Sequence, residues 1–164
     1  MRYFLGLGGN LGGTRGCFRK ALELISSRKI GTVLKKSSLY LSEPVGVEGG
    51  WFINAAIEIE SRLLPEEMLA ALKKIERDLG RKPDVNSRNL ARTIDLDMLV
   101  AGDIIKSTVD LTLPHPRMAE RRFVLEPLAE IAAGLVHPVL RKTIGRLLEE
   151  STDTAQVKKL DEKF

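Results

Sequence analysis

The chain has 164 residues, of which 43% are hydrophobic, 29% charged and only 5% aromatic, a length and balance suited to one globular domain with a real core. Its longest apolar runs are a handful of residues, which excludes a bilayer-spanning helix, and the opening MRYFLGLGGN enters a strand-like pattern without a cleavable apolar segment. The net charge of +4 and a pI near 9.3 admit nucleic acid, an anionic surface, a phosphorylated small molecule or simply a lysine-rich exterior, while the lone Cys17 rules out an internal disulfide and points to a reducing, cytoplasmic compartment.

In chain order, residues 3–8 (YFLGLG) read as a short buried strand ending in glycines. Residues 14–28 follow as a helix with Phe18, Leu22 and Ile25 on one stripe and Thr14 as its N-cap. The runs 32–41 (TVLKKSSLYL) and 51–61 (WFINAAIEIES) read as two strands joined by a Pro/Gly loop. A helix is then marked by Pro65 in its first turn, Glu66 and Glu67 at its positive end, Gly80 as its stop, and a stripe of Met68, Leu72, Ile75 and Leu79. A polar loop over 81–91 leads to RTIDLDML at 92–99, another strand pattern. This β-α-β-β-α-β order predicts a single α/β (α+β) domain over residues 1–164, with a ferredoxin-like core. The sheet is mainly antiparallel, both helices cover one face, and the other face is left for additional structure or a site. The remainder predicts a hairpin around Gly102 and Asp103, helical segments near 117–131 and 143–150, and a charged tail from about 151 or 152 to 164.

The sequence GLGGNLGG (6–13) invites a dinucleotide-binding reading, but the spacing fails: the third glycine of G-x-G-x-x-G would fall on Leu11. A tight turn whose bare backbone lines a site fits better. On the 51–61 strand, Ile53, Ala55, Ile57 and Ile59 point to one face and Phe52, Asn54 and Ala56 to the other. An aromatic ring and a carboxamide two residues apart suit a flat heterocycle, although an ordinary sheet face has the same pattern.

Alternation also sets Asp95 and Asp97 side by side, with Ile94, Leu96 and Met98 turned away. Two like charges this close repel. Three readings stand open: solvated surface charges, partners of the surrounding arginines Arg81, Arg88 and Arg92, or ligands of divalent cations. Hard carboxylate oxygens with no neighbouring cysteine suit Mg²⁺, and a pair of them can bridge two ions in phosphoryl chemistry. His115 sits between two prolines and ahead of Arg117, Arg121 and Arg122, a setting for binding phosphate, and Phe123 supplies a second ring.

Taken together, LGLGGNLGG, SSLYLSEPVG, FINAAIEIES, RTIDLDML and LTLPHPRMAERRFVLEPLAEIA resemble the 6-hydroxymethyl-7,8-dihydropterin pyrophosphokinases in order and spacing. The resemblance implies a monomeric cytoplasmic enzyme of folate biosynthesis that moves diphosphate from ATP to the pterin alcohol. It implies Asp95 and Asp97 as ligands of two Mg²⁺ ions bridged by ATP phosphates, and Phe52 and Phe123 as rings sandwiching the pterin. Asn54 would read the pterin edge with help from Ser42, Val45 and Gly46. Glu76, Arg88, Arg92, Met98, Thr112, His115 and Arg121 match nucleotide-side positions, and Arg81 and Arg92 the catalytic arginines. The chain departs from the family at Asn89-Leu90-Ala91, where Trp-Gly-Pro is usual, and its loop is about one residue longer. The competing class is a basic ferredoxin-like module binding RNA; against it, the strands lack the paired aromatics of such modules and an Asp-x-Asp pair repels phosphate without metal. The expected partners are therefore two small molecules, with neither nucleic acid nor membrane.

Overall fold

A computed structural model describes residues 1–44, 50–81, 93–162 and 164. The first strand, β1 (Arg2–Gly9), buries Tyr3, Leu5 and Leu7 on one face and Phe4 on the other, as a two-residue period requires. Helix α1 (Thr14–Ser27) presses Phe18, Ala21 and Ile25 onto the first of these faces. The expected cap is displaced by one residue. Gly13, at φ 88°, holds the N-cap position, a left-handed conformation that glycine adopts without a Cβ penalty. Thr14 is the first helical residue, and its hydroxyl donates to the Leu11 carbonyl at 2.7 Å.

The run expected as one strand over 32–41 is two, β2 (Thr32–Lys36) and β3 (Tyr40–Ser42), both antiparallel to β4 (Phe52–Glu60). The break comes at Ser37. Its N–H donates to the Ala56 carbonyl while its Oγ accepts the Ala56 N–H, both at 2.9 Å, so a side chain does the work of a main-chain acceptor and the ladder is interrupted. Helix α2 (Pro65–Asp78) starts and stops on the expected residues: Glu67 accepts the Leu64 N–H at 2.7 Å, and Gly80 takes φ 91°. It buries Met68, Leu72 and Ile75 beside α1.

β5 (Asp95–Ala101) pairs antiparallel with β1, and the main sheet runs β5-β1-β4-β3, with β2 also on β4. That is the strand order of the expected ferredoxin-like core. After a turn at Gly102, φ 51°, the expected hairpin pairs not with β5 but with itself, β6 (Lys106–Ser107) against β7 (Thr112–Leu113). A 3₁₀ turn at Met118–Glu120 leads to α3 (Arg122–Ala132), followed by α4 (Ile144–Glu149). Leu125, Leu128, Ile144 and Leu147 pack there with Phe4, Ala56, Leu99 and Val100 on the face opposite α1 and α2. Part of that face is thus covered, and the part beyond α3 holds the polar residues.

The expected charged tail is built into the fold. β8 (Val157–Lys159) extends the sheet at the β3 edge, and the Phe164 ring meets Phe18 edge-on at 5.4 Å between centroids. The tail looks solvated because its charged residues alternate with the ones that pack. Among the described residues, no helix is long and apolar enough to cross a membrane.

Candidate active site

Antiparallel register draws the site residues into rows. Asp95 lies opposite Gly8, Gly8 opposite Asn54, and Asn54 opposite Tyr40; in the next row Asp97 faces Gly6, and Gly6 faces Ala56. Directly paired residues share a face, so the carboxylates of β5 and the carboxamide of β4 rise from the same side of the sheet, separated only by glycines. Two strand spacings put their backbones about 10 Å apart. The glycines are therefore a floor between two groups of side chains. Gly9 faces the other way, toward α1, and is tightly enclosed: a Cβ there would stand 2.8 Å from both the Thr93 carbonyl oxygen and Thr14 Cγ2.

At the β5 end, alternation holds as expected, with Ile94, Leu96 and Met98 buried and Asp95 and Asp97 half-buried. Asp95 Oδ1 lies 2.5 Å from Arg81 Nη1, and the same nitrogen lies 2.5 Å from Glu76 Oε1. Glu76 Oε1 also accepts the Leu96 N–H at 2.7 Å, tying α2 to the strand between the two aspartates. Glu76 is 6% exposed. Burial pushes its carboxyl up to about 7, against the Leu96 and Arg81 contacts that favour the charged form, and the neighbouring Asp95 raises it further. Arg81, in turn, is held above its ordinary value by Asp95 and Glu76, which outweigh the burial that would lower it. The sequence carries a signal for this arrangement that motif reading passes over: Glu76 falls four residues after Leu72, on the apolar stripe of α2.

Beyond β7, His115 lies within the electrostatic reach of Asp95, and Arg121 within that of Asp95 and Asp97. Burial and the charges of Arg121 and Arg117 keep His115 below the usual imidazole range, opposed by Asp95. His115 Nδ1 accepts the Arg117 N–H at 3.2 Å, which places the proton of the neutral ring on Nε2. Arg121 is lowered by burial and by Arg117 and raised by Asp97 and Asp95, and its guanidinium lies 5.6 Å from the Phe123 ring centroid.

The β4 end is less charged. Asn54 is buried and its Nδ2 donates to Ser42 Oγ at 2.8 Å, which fixes the orientation of the carboxamide. Phe52 opens β4 opposite Ser42, and Phe123 is the second residue of α3; both are half-buried. Met98 sends its side chain into the α1/α2 core, so only its backbone faces the site. Thr112 lies on β7, half-buried. Val45, Gly46, Arg88 and Arg92 lie outside the described residues.

The arrangement therefore offers a carboxylate pair with nearby guanidinium groups at one end of a glycine floor, and a fixed amide with Phe52 on the same sheet face at the other. Among known proteins, the family described as 7,8-dihydro-6-hydroxymethylpterin-pyrophosphokinase (HPPK) matches residues 4–133. The 2-amino-4-hydroxy-6-hydroxymethyldihydropteridine pyrophosphokinase of Bacillus subtilis is 43% identical over 129 residues, covering 78% of this chain and 76% of that one. The enzyme of the same name from Aquifex aeolicus is 35% identical over 150 residues, covering 91% of each. A crystal structure of Plasmodium falciparum HPPK-DHPS with pteroate shares the fold at a TM-score of 0.73 and 15% identity, covering 90% of this chain; the chain spans only 44% of that protein's length. The strand order, the paired aspartates on their glycine floor and these matches have one conclusion: the chain belongs to the 7,8-dihydro-6-hydroxymethylpterin-pyrophosphokinase family.

Proposed function

We propose that this chain transfers diphosphate from ATP to 6-hydroxymethyl-7,8-dihydropterin, yielding AMP and the pterin diphosphate in folate synthesis, with the phosphates over Asp95 and Asp97 and the pterin over Asn54. The observation that carries the reading is the register row Asp95–Gly8–Asn54. It sets an anion-handling end and a heterocycle-reading end on one face, with no β1 side chain between them. In the transfer, the pterin hydroxymethyl oxygen forms a bond to the β-phosphorus, the bond from that phosphorus to the α-phosphate oxygen breaks, and AMP leaves with that oxygen. The hydroxyl proton passes to solvent.

Asp95 and Asp97 would hold two Mg²⁺ ions. The donor set fits: two hard carboxylates, partly exposed on one face, opposite glycines that put no β1 side chain beside them. Among the described residues, no three or more His, Cys, Asp or Glu side chains gather as a cage, so ions here would take their remaining oxygens from phosphate and water. Such ions supply neutralisation of phosphate charge. The protein's own part is binding and orientation. Arg81 and Arg92 are the catalytic cations that offset charge on the transferring group. Glu76, Arg88, Arg92, Met98, Thr112, His115 and Arg121 form the nucleotide side, with His115 Nε2–H and Arg121 directed to phosphate. On the pterin side, Phe52 and Phe123 stack on the two ring faces, and Asn54, Ser42, Val45 and Gly46 read the edge. In-line positioning and charge neutralisation account for catalysis without a strong side-chain base.

We read residues 1–164 as one domain acting as a cytoplasmic monomer on small molecules. The Asp95–Asp97 pair at the open sheet face disfavours nucleic acid, whose phosphates it repels. The test is an assay for AMP release: it should require the pterin, ATP and Mg²⁺ together, and RNA should neither bind nor compete. AMP release that ignores the pterin, or tight RNA binding in its place, would overturn the reading.

A further inference from the structure

The matched family region ends at residue 133, yet the chain beyond it grips both sides of the pterin half. On one side, Asp153 Oδ2 accepts the Arg122 N–H at 2.8 Å. Arg122 is the first residue of α3, the helix whose next residue is Phe123, and Arg121 at the N-cap provides no side-chain cap of its own. A carboxylate from a distant segment thus satisfies a first-turn donor and sits at the positive end of the helix. Asp153 is itself fixed: its Oδ1 accepts the Ala155 N–H at 3.0 Å, and its N–H donates to Ser151 Oγ at 3.3 Å.

On the other side, Gln156 and Glu43 exchange two hydrogen bonds. The Gln156 N–H donates to Glu43 Oε1 at 2.7 Å, and the Glu43 N–H donates to the Gln156 carbonyl at 3.1 Å. Val157 then pairs with Ser42, the residue that orients Asn54, and Lys159 pairs with Tyr40. Lys159 Nζ lies 3.2 Å from Glu130 on α3, whose carboxylate also accepts the Tyr40 hydroxyl at 2.8 Å and the Ser38 N–H at 3.0 Å. Lys158 Nζ stands 5.6 Å from the ring centroid of Trp51, the residue before Phe52.

We propose that the stretch from Asp153 to Lys159 is a positioning element for the pterin half of the site, setting the start of α3, and so Phe123, against the β3 edge that carries Ser42. The inference rests on the reading of Phe52, Phe123 and Asn54 as the pterin site. A flat ligand held between two rings binds well only at one ring separation, so the tie between the elements that carry them decides affinity. Most of the nucleotide half is built on β5 and α2, and β5 lies at the opposite edge of the main sheet from β8; only Arg121, at the N-cap of α3, adjoins this stretch, so nucleotide affinity should respond less than pterin affinity.

The test is calorimetric titration of the full chain with 6-hydroxymethyl-7,8-dihydropterin in the presence of a nonhydrolysable ATP analogue and Mg²⁺, and with the analogue alone. Asp153→Ala should raise the pterin Kd by about three- to tenfold, the size of a helix cap's contribution to helix stability expressed in the placement of Phe123. Asp153→Asn, which keeps an acceptor at the cap, should stay near the parent, and in Asp153→Ala affinity for the analogue should change by less than affinity for the pterin. Lys159→Met, which removes the cation from the Glu130–Tyr40 link, should act in the same direction and decides the matter if Asp153→Ala melts too low to titrate. Equal weakening of both ligands, or no change in pterin Kd, would overturn the proposal. Phe123→Ala runs beside them as the control for the site itself. If it leaves pterin binding intact, the site reading falls and the inference with it; if it weakens pterin while Asp153→Ala and Lys159→Met do not, only the positioning role falls.

Discussion

Asp95 and Arg81 form an ion pair across 2.5 Å. Of the three readings open for the aspartates in the sequence, the arginine-partner reading thus holds for Asp95 with Arg81. The pairing also limits the cost of its repulsion from Asp97. Both partners are largely buried, at 26% and 23% exposed, but Arg81 keeps a second carboxylate, Glu76, at 2.5 Å, so neutralising Asp95 strands no cation. Asp95→Asn should therefore unfold in urea with EDTA within about 1 kcal/mol of the parent, while diphosphate transfer nearly vanishes. Mg²⁺ with an ATP analogue should raise the melting temperature of the parent and leave the variant almost unmoved, because a ligand stabilises only the state that binds it. A large loss of stability in EDTA would show that Asp95 is kept for its ion pair.

Glu76 makes the metal-free protein sensitive to pH. Its carboxyl titrates near 7 in the folded chain, chiefly because it is buried, and near the ordinary glutamate value when unfolded. The folded state therefore binds the proton more tightly, so this group's contribution is complete below about pH 4.5 and is lost as pH rises through about 7. Denaturation of the parent in EDTA should show that decline between pH 5 and 8. Glu76→Gln, which keeps the acceptor for Leu96, should flatten it. An equal slope in both proteins would assign the pH dependence to other groups.

The two rings make a separable prediction. Phe52→Ala or Phe123→Ala should weaken pterin binding by about 1–3 kcal/mol, as loss of a stacking ring does elsewhere, and hardly affect the nucleotide. Titrations with each ligand alone and together check this. Equal losses for both ligands would make the rings core residues.

Neighbouring glycines should respond in opposite ways. Gly9→Ala would drive its methyl to 2.8 Å from the Thr93 carbonyl oxygen, and relieving that clash should cost about 1–3 kcal/mol in thermal or chemical denaturation. Among the described residues Gly8→Ala meets Asn54 Oδ1 alone, at an ordinary 3.5 Å, and should fold normally. Its methyl would instead stand on the floor between the two halves of the site, so its effect should appear in substrate affinity.

Much of this was legible in the sequence because it is periodic or punctuated. The alternation around Asp95 and Asp97, the stripe and caps of α2 and the β-α-β-β-α-β order all rest on local chemistry, and all are present in the fold. What escaped depends on partners far away in the chain. Ser37 breaks a strand because Ala56 lies opposite it, and Val157–Lys159 become a strand because β3 has a free edge. Glu76 is an acid inside an apolar stripe, tolerable only because Leu96 and Arg81 meet it there. Periodicity registers that such a residue is out of place without supplying the contact that accommodates it.

β5 carries one further lesson. Opposite Phe4 and Leu5 the register jumps from Val100 to Met98, so Leu99 is an extra residue in the ladder. Up to that point Asp95 and Asp97 share a face with Leu99; after it, Val100 points the same way as Leu99 and joins it against α3 and α4. The insertion resets the phase of the strand, letting one continuous segment end as packing and begin as chemistry. One strand thereby presents four side chains to the same side of the sheet, Asp95 and Asp97 over the glycines and Leu99 and Val100 beneath α3 and α4.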